Sequence, residues 1–88
     1  MNRRARWVIE YCAAKHGVTF EQICNKKLRP DRVARARHEA MWIMRKVLRR
    51  RAVDRRSYSY PAIGQIFGGM DHSTVIHGVR RHAERAGL

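Results

Sequence analysis

With 88 residues the chain has room for one small domain, 1–88, and little space for an enclosed catalytic cavity. Its 44% hydrophobic content excludes a disordered tail. Twenty Lys and Arg face seven Asp and Glu, a net +13, and such an excess is best tolerated when a polyanion neutralises it. Nucleic acid is therefore the leading partner, ahead of an anionic membrane surface. The excess is mostly arginine, whose fork suits phosphate and guanine.

Arg4 to His16 reads as a helix. Trp7, Val8, Tyr11 and Cys12 share one face of a 3.6 period, and Gly17 is its stop. Trp7 and Trp42 are expected in the core or partly buried. Thr19, with Gln22 three residues on, forms a capping box for a short second helix that turns Phe20, Ile23 and Cys24 inward. Cys12 and Cys24 make no C-x-x-C pair and read as buried free thiols. Glu10 interrupts the first apolar stretch, so no secretory signal is expected, and no apolar run approaches membrane-spanning length. These features predict a cytoplasmic, nucleoid-associated protein.

A basic loop occupies residues 25–32, where Pro30 disfavours helix at Arg29 and Asp31 is the expected N-cap. A long helix follows, from about Arg32 to Arg50. Its apolar stripe is Val33, Ala36, Ala40, Met44, Val47 and Leu48, with Met41 and Ile43 flanking, and Arg35, Arg45 and Arg49 lie opposite. Residues 49–59 read as frayed helix or linker. Ser59 caps a short helix, Tyr60 to Phe67, with Pro61 in its first turn, and Gly68 and Gly69 make a turn. Asp71 caps a last helix to about Arg85, with Val75, Ile76, Val79 and Ala83 inward. The expected fold is all-α, about five helices, with a helix-turn-helix over 60–83.

In a helix-turn-helix the second helix presents its N-terminal residues to base edges in the major groove. Here that end is Asp71-His72-Ser73-Thr74. Asp accepts from base amino groups, and Thr offers a methyl to thymine or a hydroxyl to phosphate. His77, Arg80 and Arg81 follow where backbone contacts fall, and Lys27 in the basic loop adds another phosphate contact.

The run Tyr60 to His77, with its Phe67-Gly68-Gly69-Met70-Asp71-His72-Ser73-Thr74-Val75-Ile76-His77 core, resembles the C-terminal DNA-binding domain (domain IV) of DnaA, the bacterial replication initiator. Val33-Ala34-Arg35-Ala36-Arg37-His38-Glu39-Ala40-Met41 is similar to a second motif of that family, and the likeness spans Trp7 to His82. It implies a Trp-repressor/DnaA-domain-IV-like fold bound as a monomer to an asymmetric site near TTATNCACA. It implies base reading by Asp71, His72, Ser73 and Thr74, with Arg29 entering the minor groove. Phosphate contacts are implied at Arg37, His38, Arg45, Pro61 and His77. Three positions depart from the family pattern. Met70 replaces an arginine, Ser73 replaces threonine, and the segment from Arg49 to Ser57 is longer and more basic.

No phosphate-binding loop for a nucleotide occurs, and the initiator's ATPase module has no counterpart in this length. His72, His77 and His82 are five apart, which spreads them around a helix, so no zinc site or other cofactor is expected. Ser59 and Ser73 lack a recognisable base and orienter, so an enzyme is not expected. The partner expected is double-stranded DNA, with no membrane and no nucleotide. The role expected is control of replication initiation or transcription. Nonspecific coating of the nucleoid and docking of an acidic protein partner are the competing readings.

Overall fold

A computed structural model describes residues 1–88, all helical and without strands. Helix α1 spans Arg3–His16. The Asn2 side chain accepts from the Ala5 amide at 2.8 Å, and Gly17, at φ 68°, closes the other end. Its buried residues are Ala5, Val8, Ile9, Cys12 and Ala13, a full i, i+3, i+4, i+7, i+8 stripe. This corrects the expected face. Trp7 is 63% exposed and Tyr11 44% exposed, one step off the stripe. Their rings stack on each other instead, 5.6 Å between centroids. Trp42 is half-buried against His82, as expected.

Helix α2, Phe20–Cys24, starts with the reciprocal capping box that Thr19 and Gln22 predict, with bonds of 3.0 and 2.9 Å. Ile23 is buried, whereas Phe20 and Cys24 are half-buried. Both cysteines are free, and burial pushes the Cys12 thiol up to about 12.

Helix α3 is one continuous rod: Asp31–Ile43, a π-helical turn at Met44–Leu48, and a last turn at Arg49–Arg51. Pro30, not Asp31, takes the N-cap position. Asp31 lies inside the first turn, where its carboxylate pairs with Arg35 Nε at 2.7 Å. Met41, expected at the flank, is fully buried, while Val47 and Leu48 are only half-buried. Glu39 is buried against α1, taking Lys15 Nζ at 2.8 Å and His16 Nε2 at 2.6 Å. Burial alone would raise its carboxyl, but these two bonds outweigh it and hold it below its ordinary value.

The segment expected as frayed helix or linker is helical in part. Arg49–Arg51 complete α3, and Arg55–Tyr58 form a 3-10 turn capped by Asp54. Tyr58 is buried, and its hydroxyl accepts from Asn2 Nδ2 at 3.1 Å, tying this segment to the start of α1.

Helix α4, Tyr60–Ile66, is capped by Ser59, whose Oγ accepts from the Ala62 amide at 3.2 Å. Helix α5, His72–Ala86, is capped by Asp71. Between them the amides of Gly69 and Met70 both donate to the Gly64 carbonyl, at 3.0 and 2.9 Å. A Cβ on Gly64 would lie 2.1 Å from the Met70 carbonyl oxygen, so only glycine lets the turn fold back this closely. Ile63, Phe67, Met70, Val75 and Val79 fill the core beneath it. Met70 is thus a core residue, which accounts for an apolar side chain where the related motif carries arginine. Ile76 and Ala83 are half-buried. Gly78 brings α5 against α3, since a Cβ there would meet Met41 Sδ at 2.8 Å. No helix is long and apolar enough to cross a membrane.

Candidate nucleic-acid interface

The N-terminal end of α5, the basic loop and the outer face of α3 converge on one cleft of about 850 Å³. The loop contributes Lys26, Lys27 and Arg29, and α3 contributes Ala34, Arg37, His38 and Met41. The turn and α5 contribute Gly69, Met70, Asp71, Ser73, Thr74 and His77. The cap explains why the α5 end is presented to solvent. Asp71 Oδ2 accepts from the Ser73 amide at 2.9 Å, so the first turn needs no covering element. Hydrogen bonding from the Ser73 amide and hydroxyl holds the Asp71 carboxyl below its ordinary value. It is an acceptor at neutral pH, and its other oxygen lies 3.6 Å from His72 Nδ1. Asp71, His72, Ser73 and Thr74 are all exposed.

The loop has its own local order. The Lys27 amide donates to Asn25 Oδ1 at 3.0 Å, and both Lys27 and Arg29 are exposed. What anchors the loop is Arg37, a residue expected to touch phosphate. It is only 6% exposed. Its Nε donates to Ile23 O at 2.7 Å, one Nη donates to Leu28 O at 3.1 Å, and the other donates to Gln22 O and Asn25 O at 3.1 and 2.8 Å. Four of the five N–H groups of a guanidinium are thereby engaged. Arg37 thus ties the loop to α3, with one N–H left over for the phosphate contact that the resemblance implies.

His38 is half-buried beside His77, their rings edge to face at 6.3 Å. Its Nδ1 accepts from an Arg85 Nη at 3.0 Å, which leaves Nε2 as the remaining donor of a neutral ring. Burial first, then the charges of Arg85 and His77, push His38 down to about 4. It is therefore neutral at physiological pH, so any contact it makes there is a dipolar hydrogen bond.

The remaining expected residues lie outside the cleft. His72 stands exposed at the first position of α5. Arg80 and Arg81 are exposed further along it, with Arg81 3.7 Å from Glu84. Arg45 lies at the far end of α3, its guanidinium 3.9 Å over the Tyr60 ring and 3.4 Å from Tyr58 O. Pro61 is exposed beside Tyr60 at the start of α4. Sequence reasoning missed Lys26 and Arg85. Lys26 was legible as the neighbour of Lys27, whereas nothing local marks Arg85 as a partner of His38, 47 residues away.

A family model described as the bacterial dnaA protein helix-turn-helix matches residues 6–81. The chain belongs to this family. It is similar to the chromosomal replication initiator protein DnaA of Ralstonia nicotianae, 36% identical over 73 residues, which cover 83% of this chain and 12% of that protein. It is also similar to DnaA of Dechloromonas aromatica, 46% identical over 54 residues, or 61% of this chain and 10% of that protein. For DnaA of Paraburkholderia phymatum the identity is 39% over 61 residues, or 69% and 10%. The chain thus spans about a tenth of the length of these DnaA relatives. No solved structure matches it. The match of the DnaA family takes in the whole cleft, from the basic loop to His77.

Proposed function

We propose that the chain binds duplex DNA sequence-specifically as a monomer, on a site akin to the DnaA box. The start of α5 enters the major groove and the basic loop enters the adjacent minor groove. Asp71, His72, Ser73 and Thr74 read base edges, and Arg29 reads the minor groove. Lys27, His38, Arg45, Pro61, His77, Arg80 and Arg81 set the register on phosphates. One observation carries this reading: the exposed polar start of α5 and the exposed cations of the loop share a single cleft, with Arg37 bracing the loop. A nonspecific coating protein needs charge but no such pairing of a readable helix end with a separately anchored arm. The relatives are named as chromosomal replication initiators, and the role proposed for this chain is to occupy such sites in the control of replication or transcription.

The experiment is selection of bound sequences from a random duplex pool, followed by gel shifts on the selected and scrambled duplexes at moderate salt. Enrichment of one asymmetric site is expected. Retention without enrichment would indicate a nonspecific binder, and no retention would favour an acidic protein partner.

A further inference from the structure

The arginine-rich segment after the middle of α3 is the feature that the cleft leaves unused. Ala34, His38 and Met41 of α3 line the cleft at steps of four and three, and two further steps of four lead to Arg45 and then Arg49. The π turn at Met44–Leu48 takes up an extra residue without breaking the rod, so the stripe runs on to the helix end. From Ala34 to Arg49 it extends about 22 Å along the helix. The 3-10 turn that opens with Arg55 then packs against the last turn of α3 and against α4, where Tyr60 holds the Arg45 guanidinium.

These cations have no internal counter-charge. Asp54, the acid of this segment, is engaged by Arg56, at 3.1 Å to Nε and 3.2 Å to an Nη. Neither Arg49 nor Arg55 makes an ion pair or a side-chain hydrogen bond. They crowd one another instead: Arg45 first, then partial loss of water contact, then Arg55, hold the Arg49 guanidinium below its ordinary value. Like charges gathered without a partner favour an external polyanion over the free state.

We propose that Arg49 and Arg55 form, beside Arg45, a second phosphate clamp that extends the duplex footprint beyond the base-reading cleft along the α3 stripe. This rests on the duplex-binding reading above. The clamp grips backbone only, so it adds affinity and salt dependence equally on every sequence.

The test measures affinity against salt on a long random-sequence duplex for the full chain, Arg49→Ala, Arg55→Ala, the double variant and the double lysine variant. Each single alanine should reduce the slope of log K against log salt by about 0.9, and the double by about twice that. The lysine pair should keep most of the slope, because phosphate needs charge there more than geometry. The selected and scrambled duplexes should lose affinity by the same factor. Both side chains reach solvent and bond to nothing, so circular dichroism should be unchanged. A wild-type slope in the double alanine variant, with the full chain binding normally, overturns the clamp and leaves the cleft standing. Failure of the full chain to bind any duplex overturns both.

Discussion

The Arg37 guanidinium, set in the middle of α3, donates to the Ile23 carbonyl at the end of α2 over 2.7 Å, the shortest of four bonds to main-chain oxygens. It converts a surface loop of residues 25–30 into a part of the α3 framework. Charged hydrogen bonds of this kind are worth more than neutral ones, and their loss leaves carbonyls to be hydrated anew.

Arg37→Ala should therefore cost about 2–4 kcal/mol of folding stability. Lysine should not rescue it, because one ammonium cannot meet four separated carbonyls. Urea denaturation reads the stability, and amide exchange at Leu28 reads the loop. A variant of unchanged stability with only a gentler salt slope would leave Arg37 only the role of a direct phosphate contact.

Gly64 is the second structural prediction. Alanine would drive its Cβ to 2.1 Å from the Met70 carbonyl, a backbone atom that cannot swing away. Gly64→Ala should cost about 3 kcal/mol or more and displace α5 from α4. Gly69 has open space around it but sits at φ 90°, so alanine there should cost only about 1 kcal/mol. Thermal melts of the two variants give the comparison, and equal losses would mean that the close approach to Met70 is not what requires glycine.

Acid should begin to weaken the fold above the ordinary carboxylate range. His38 is held down to about 4, so as pH falls below about 6.5 the unfolded chain gains this proton while the folded chain does not. Stability is full above that range and is lost on the way to pH 4, by roughly 3 kcal/mol in total. His82, lowered chiefly by burial, acts in the same direction. Glu39 is also held low, and its contribution is lost only below the ordinary carboxylate range. His38→Gln should flatten the stability profile between pH 6.5 and 4 without abolishing it. A profile identical to wild type would contradict the burial of a neutral ring.

Where partners are close along the chain, the elements were legible. Thr19 with Gln22, Ser59 before Pro61, and Asp71 before the last helix each carry their bonding partner within three residues. The glycine turn and the polar start of α5 were legible for the same reason. Relationships made across the chain were not. Arg37 bonds to carbonyls, which leave no trace in side-chain identity, and only the phosphate role implied by the family resemblance was on view. Tyr58 owes its burial to packing and to Asn2, 56 residues away, which hid the order of the segment around it. On α1 the bulk of Trp7 and Tyr11 outweighed the smaller Ala5, Ile9 and Ala13 that are actually buried. Small residues allow close helix approach, and the large aromatics are left to stack outside.

The most direct measurement compares dissociation constants of wild type and Thr74→Ala on selected and scrambled duplexes at one salt concentration. Thr74 is exposed in the cleft, so its loss should leave scrambled binding almost unchanged and weaken selected binding by about 1–3 kcal/mol. His72→Ala should behave alike. Equal weakening on both duplexes, or none on either, would mean that the start of α5 does not read bases.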